Sequence, residues 1–460
     1  MNEAASGSST SGGARAINAR IERMPYCSWH TVMRSIICTA WFFDAFDSLA
    51  IAYVLPPLIG LWKLQPGQIG TLIAAGFAGQ LVGSIVAGWA AERWGRMPTM
   101  QVTLLVFTVM SVACAAAPSY DALLWFRFVQ GLGLGGEVPI MAAYVNEFAR
   151  SGGRGRFALG VQALFATGLL VVGLVGVWVV PNLGWRWMFI IGAFPAVLVL
   201  PMRMMLPESP RWLASKGRFA EADRALAIVE ATAVSEGKVL PPLPADLPPV
   251  REAATRIGDL FRGLYLKRTL TLWGMWICAY FVVYGLGAWA PSLFRTAYKL
   301  PLQQSLVYGF TLSGIGLIGA LACVALIDRF GRRRVFSVAF LLGAVPLLLF
   351  GIETPRSAFE VLIQASIGQL FMSALAIGLA TYTAENYPNQ LRALGGGVAG
   401  AWQRGASMVG PFIVGIVLPQ FGPEAVFVMF GIAALIGAVI CALFAVETRG
   451  RVLEELAPVL

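Results

Sequence analysis

Six polar side chains sit inside stretches that are otherwise too apolar to hold them. Asp44 and Asp47 fall in Trp41-Phe42-Phe43-Asp44-Ala45-Phe46-Asp47. Arg127, Gln130 and Glu137 fall in a glycine-rich run, and Arg404 in Trp402-Gln403-Arg404-Gly405. A charge at membrane depth costs about 2.5–3.5 kcal/mol by insertion scales, so such residues usually face a wet cavity and do a job there. On a helix Asp44 and Asp47 share one face with Trp41 and Ser48. Two carboxylates so placed repel and titrate as a unit, so that one of them is disposed to hold a proton. That is the chemistry of a proton carrier; the alternative is that the pair neutralises Arg127. Gln130 and Glu137 share a face of their own run, where glycines 131, 133, 135 and 136 permit close helix packing. Glu137 joins the candidate proton-coupling groups, with Arg127 as their partner. Arg404 offers a permanently charged planar fork that suits a carboxylate. It has either a substrate carboxylate or, across a cavity, Glu137 or a first-helix aspartate to meet. Trp41, Tyr284, Trp289 and Trp402 flank these positions, where they can stack on a flat ring or serve as packing. With Asp44, Gln130 and Arg404 they make up the candidate substrate contacts.

The elements that must position these groups are membrane spans. The chain has 460 residues, 58% hydrophobic and 13% charged. Its apolar stretches predict about twelve spanning helices near 33–59, 68–91, 98–117, 120–147, 156–180, 184–205, 269–294, 304–327, 334–352, 356–385, 392–418 and 422–446. The net charge of +10 does not point to nucleic acid, because the arginines gather in alternate loops. Read by the positive-inside rule, both termini are cytoplasmic. Residues 1–30 are expected to be a disordered cytoplasmic segment, starting with a Gly/Ser/Ala-rich stretch. Two six-helix bundles, 31–205 and 269–446, are separated by a cytoplasmic linker, 206–268, with surface helices, and a tail, 447–460, follows. Six scattered cysteines and one histidine (His30) give no metal-ligand spacing, and no cofactor is implied. No nucleotide loop or nucleophile–base set argues for an enzyme.

The halves repeat. Glu92-Arg93-Trp-Gly-Arg96 returns as Asp328-Arg329-Phe-Gly-Arg332, and 328 − 92 = 236. Tyr144-x-x-Glu147 followed by Arg154 returns as Tyr382-x-x-Glu385 followed by Arg392, and 385 − 147 = 238. Glu208 is matched by Glu447, and 447 − 208 = 239. Such a parallel duplication places a solute site between the halves near mid-membrane. The mid-membrane charges are not repeated. Shifted by 236, Asp44 lands on Tyr280 and Asp47 on Val283. A charge needed only for folding should recur in both halves, so the single ones are assigned to chemistry.

Gly88-x-x-x-Glu92-Arg93-x-Gly95-Arg96 resembles the signature loop of the major facilitator superfamily, with Glu92 for the usual Asp and Met97 where a basic residue is common. Arg127-x-x-x-Gly131 and Pro207–Leu213 are similar to the sugar-porter and organic-ion branches. Arg127 to Pro139, Tyr284-Gly-Leu-Gly-Ala-Trp289-Ala-Pro-Ser and Tyr382-Thr-Ala-Glu385-Asn-Tyr-Pro are similar to bacterial niacin transporters and their synaptic-vesicle-like relatives. Asp44-Ala-Phe-Asp47 resembles the paired acids of aromatic-acid/proton symporters. The resemblance implies an all-α, twelve-helix integral membrane fold with two bundles about a parallel pseudo-two-fold. It implies alternating-access import of a small aromatic monocarboxylate, nicotinate first, coupled to protons, by a monomer in the inner membrane. Benzoate-type acids, other organic ions, sugars, or a non-transporting receptor on the same fold are the alternatives. It also implies a cytoplasmic latch of Glu92, Arg93, Arg96, Glu147, Arg154, Glu208, Asp328, Arg329, Arg332, Glu385, Arg392 and Glu447, formed when the inner ends of the halves close.

Overall fold

In the computed structural model, residues 2–148, 154–243, 256–352 and 357–450 are described, and among them the regular structure is helical throughout. The helices are α1 (Asn2–Arg23), α2 (Ser28–Trp62), α3 (Pro66–Trp94), α4 (Arg96–Ala115), α5 (Tyr120–Phe148), α6 (Arg154–Asn182), α7 (Arg186–Gly192) and α8 (Ala196–Met205). They continue with α9 (Pro210–Ser215), α10 (Phe219–Ser235), α11 (Leu264–Thr296), α12 (Leu302–Phe330), α13 (Arg332–Ile352), α14 (Ala358–Asn386) and α15 (Asn389–Phe444). Ten apolar spans among the described residues are long enough to cross a bilayer, α7 and α8 together counting as one. α15 is two of the expected spans run together, since Gly422 inside it has φ +79°. α5, at 29 residues as long as α3, carries Asp121, Arg127, Glu137 and Glu147 and is a further span. With α15 divided and α5 included, the expected twelve are accounted for.

The duplication is visible in the packing. α3 and α12 are both 29 residues long and start 236 apart (302 − 66); α5 and α14 are both 29 and start 238 apart (358 − 120). α3 and α4 pack on α5 as α12 and α13 pack on α14, and α2 lies on α6 as α11 lies on α15. The halves meet through α2 on α11, α3 on α15 and α6 on α12. Their tightest approach is at the end remote from the arginines. A Cβ on Gly70 would lie 2.8 Å from the Pro411 carbonyl, and one on Gly415 2.7 Å from that of Pro66. Tyr53 reaches Ser313 across the same region, hydroxyl to hydroxyl at 3.4 Å. Toward the arginine-rich end, Gly88 of α3 and Gly396 and Gly397 of α15 face open space.

The charged cassettes correct one expectation. Arg96 pairs with Glu147 at 3.1 Å and Glu92 at 2.8 Å, and Arg332 with Glu385 at 2.9 Å and Asp328 at 2.8 Å. Both sets lie inside one half, so they do not wait for the halves to meet. The reason is the turn at Gly95 (φ +114°) and at Gly331 (φ +90°), which starts the next helix with its arginine laid on α5 or α14. Glu208 accepts the backbone N–H groups of Arg96 (3.0 Å) and Met97 (3.2 Å); Glu447 accepts those of Arg332 (2.9 Å) and Arg333 (3.1 Å). Each carboxylate thus caps a helix start, satisfying orphan donors and the positive end of the dipole. A Cβ on either glycine would strike the capping carboxylate. The cassettes stiffen each half at its rim. Arg93 lies over Trp89, Arg329 over Phe330, and Arg392 donates to the Ala384 carbonyl at 2.9 Å. The side chain of Arg154 is outside the described residues.

A second correction concerns residues 1–30. α1 spans Asn2–Arg23, and its second half is docked. Ile17 and Ile21, four apart on one face, are 2% and 1% exposed. Arg20 bonds Asp223 (2.6 Å) and Glu230 (2.6 Å) of α10, and Arg23 bonds Glu230 at 2.8 Å. Burial works to push the Glu230 carboxyl up, but the hydrogen bonds from Arg20 and Arg23 outweigh it and leave the group below the usual carboxylate range. Tertiary pairing overrides a composition that reads as unstructured. The proline-rich part of the linker, 244–255, lies outside the described residues.

Candidate functional site

The two aspartates of α2 part company. Asp47 is fully buried in a closed network with Arg127 and Gln130 of α5. Arg127 Nη1 donates to Asp47 Oδ2 at 2.8 Å and to Gln130 Oε1 at 2.7 Å; Gln130 Nε2 donates to Asp47 Oδ1 at 2.8 Å. Gln130 Nε2 also reaches Ser111 of α4 at 2.7 Å, and the Arg127 guanidinium lies over the Phe189 ring of α7. All three residues are at most 3% exposed. The close approach needed for this follows from the glycines of α5, since a Cβ on Gly131 or Gly135 would run into the backbone of α3. Of the readings open for the aspartates, neutralisation of Arg127 is the geometry Asp47 adopts. Gln130 is likewise spent inside the first half.

Asp44 lies one turn away in a different setting. The positive charge that acts on it is Arg404 of α15, from the other half, and Asp47 acts against it. Arg404 in turn feels Asp44 together with Tyr284 and Tyr280 of α11. Among the described residues no carboxylate lies within 4.0 Å of Arg404, whose only hydrogen bond is a long one, 3.4 Å, from Nη1 to the Gly400 carbonyl of its own helix. Its Nε is buried without a partner. Glu137 of α5 is 1% exposed, feels the charges of Asp44 and Asp47, and has Oε1 unpartnered. Asp44, Glu137 and Arg404 therefore gather near the middle of their helices, where the halves face one another. A guanidinium at that depth with no carboxylate on its fork has the donor geometry that suits an anion.

One wall of the junction is aromatic, and only part of it was read from the sequence. Trp276, Tyr280 and Tyr284 of α11 stand four apart and stack in a ladder. Their ring centroids are 5.1 Å and 5.9 Å apart at 17° and 19°, and Phe77 of α3 meets Tyr284 edge-on at 5.1 Å. Trp276 donates to Thr383 (2.9 Å) and Tyr280 to the Ala376 carbonyl (3.2 Å), which fixes the ladder's orientation. The i, i+4, i+8 spacing of three aromatics was the signal that went unused. Tyr280 is also the residue onto which Asp44 maps in the repeat. The other expected ring contacts lie elsewhere. Trp289 is buried with its indole N–H on the Pro411 carbonyl at 2.9 Å, Trp402 is 40% exposed beside Trp273, and Trp41 packs in the lower first-half core with Met33 and Ile37. His30 sits at the start of α2 against Cys27. An apolar groove lined by Phe43, Ile190, Phe194 and Val197 opens on the outside of the first half and holds none of these groups.

Comparison with known proteins agrees with this architecture. The model of the family "Sugar (and other) transporter" matches residues 62–460. The niacin transporter NiaP of Acinetobacter baylyi is 31% identical over 443 residues, covering 95% of this chain and 99% of that one. The 4-hydroxybenzoate transporter PcaK of the same organism is 26% identical, covering 84% of this chain and 86% of that one. Among solved structures, the inward-open xylose transporter XylE of E. coli superimposes with a TM-score of 0.70 at 18% identity, over 93% of this chain and 99% of that one. With its repeated halves and single central charges, the chain belongs to the sugar (and other) transporter family and is a membrane transporter of the major facilitator superfamily.

Proposed function

We propose that this transporter imports a small aromatic monocarboxylate, nicotinate first among them, together with a proton. The observation that carries the reading is the Arg404 guanidinium, placed at the junction of the halves with no carboxylate of the described residues within 4.0 Å. A substrate carboxylate fits its fork, and the rings of Tyr280 and Tyr284, whose hydroxyls lie in the field of Arg404, supply an aromatic wall beside it. Asp44 is the counter-charge that Arg404 already feels. When substrate takes Asp44's place as counter-ion, a second negative charge in a poorly solvated chamber is costly, and Asp44 takes a proton. One proton and one monoanion then cross together with no net charge. Glu137, buried beside Asp44, is the next group along a proton path. Asp47 and Arg127 hold the first half together around that path. With the arginine-rich end in the cytoplasm, as the positive-inside rule has it, the contact of Gly70 and Gly415 closes the outer side and the chamber opens inward. Arg93, Arg329 and Arg392, which have no carboxylate partner among the described residues, are then rim charges able to meet acids of the opposite half when that side shuts. The relatives named for niacin and 4-hydroxybenzoate both point to ring-bearing monocarboxylates.

The test is uptake of labelled nicotinate into vesicles holding the purified full chain. Benzoate should compete, whereas nicotinamide and glucose, which lack the anionic fork partner, should need about 100-fold more to do so. Competition by glucose in the nicotinate range would move the assignment to sugars.

A further inference from the structure

The start of α11 carries a surface for which solute transport has no use. Leu266, Leu270 and Trp273 follow one helical face, and the two leucines are 42% and 52% exposed. Trp273 meets Trp402 of α15 at 5.4 Å, and Phe261, from the short 3-10 turn Ile257–Phe261, meets Trp273 edge-on at 5.5 Å. Trp402 is two residues from Arg404, more than half a turn away, and shares its face with the exposed Val409 and Ile416. The strip therefore lies on the outside of the bundle, away from the junction of the halves. Its other edge is Phe444, at the far end of α15, where Lys267 Nζ stands 5.3 Å from the ring centroid.

Two cations border these apolar side chains. Lys267 is exposed at one edge, and Arg262, next to Phe261 at the other, has its side chain 70% exposed. Asp259 meets Arg262 Nη1 at 3.1 Å, an exposed pair of little worth that leaves further guanidinium N–H groups for another acceptor. The first turn of α11 has no acidic side chain and no side-chain cap, so its peptide dipoles add to the positive field. Arg268 takes no part, since it is buried and donates to the Asn386 carbonyl at 3.0 Å. Tryptophan beside basic groups at the end of a span marks the depth where headgroups meet acyl chains. A soluble anion would leave the leucines uncovered, and an uncharged lipid would leave the two cations unanswered. An anionic phospholipid meets both.

We propose that this strip binds an anionic phospholipid of the leaflet at the arginine-rich end, with its phosphate on Arg262 and Lys267 and an acyl chain along Leu266 and Leu270. The assignment does not depend on which solute is carried. The test follows the unfolding temperature of the purified full chain in detergent micelles doped with dioleoyl-phosphatidylglycerol or dioleoyl-phosphatidylcholine, and reads the lipid fraction that gives half the maximal rise. At about fivefold per cation near a charged surface, wild type should need about 25-fold less of the anionic lipid. Arg262→Gln and Lys267→Gln should each lose about fivefold of that preference, and the double variant should bring it near one. Both side chains are exposed, so the variants should fold, and either single change is read the same way if the double one does not. Arg262→Lys, which keeps the charge, and Arg334→Gln, at an exposed arginine of α13, should each hold the preference within about twofold. Equal potency of the two lipids on wild type overturns the assignment. So does a preference that survives the double change, an equal loss in Arg334→Gln, or an equal rise from inorganic phosphate alone.

Discussion

Arg404→Lys should lower affinity for nicotinate about 10- to 100-fold and leave the weaker binding of nicotinamide within about twofold, the loss expected when a two-pronged charge-assisted contact becomes a point charge. The positive charge is retained, so only the fork geometry is tested. Titration of tryptophan fluorescence in purified protein would measure it. The fold should tolerate the change, because among the described residues Arg404 holds no carboxylate within 4.0 Å and its one hydrogen bond is to its own helix. Arg127 makes the instructive contrast. Removing it strands Asp47, and breaking a buried pair from one side costs about 3–5 kcal/mol. A loss of acid and amide binding in equal measure in Arg404→Lys would take Arg404 out of carboxylate recognition.

Asp44→Asn should abolish accumulation of nicotinate against its gradient while sparing exchange of labelled for unlabelled nicotinate. The amide has the shape of the protonated acid, so the loaded carrier still rocks between its two faces. It cannot release a proton, so a pH difference no longer drives it. Because loss of coupling is total in a mechanism with one proton carrier, the drop in pH-driven accumulation should be at least about tenfold. Asp47→Asn should differ in kind. It disrupts the Arg127–Gln130 network and should lower thermal stability, with transport falling in step with folded protein. If exchange and accumulation fall together in Asp44→Asn, Asp44 is not the proton carrier.

Most of the architecture was legible because a bilayer leaves few choices. Spans announce themselves by length and hydropathy, and the matched cassettes gave the two halves. The site was legible only as a set of residues. That Asp47 would pair with Arg127 and Asp44 would not depends on which turn of α2 faces α5, and residues three apart look alike in a sequence. The role of Glu208 and Glu447 as helix caps was hidden, because each lies far along the chain from the helix it caps. Aromatic residues are so common here, 12% of the chain, that Trp41, Trp289 and Trp402 looked as suitable as Tyr284, and Tyr280 was passed over. The ladder's periodicity, rather than closeness to a motif, marks the aromatics that stand together beside Arg404. Composition misled at the N-terminus, where paired charges on α10 order a helix that glycine and serine would leave loose.

Counting protons on binding tests the central exchange most directly. Nicotinate added to the purified full chain in weakly buffered detergent near pH 8, with a pH indicator, should draw close to one proton from solution per molecule bound, and none in Asp44→Asn. Saturable binding by the wild type with no proton taken up would contradict the claim that substrate displaces Asp44 as the counter-ion of Arg404.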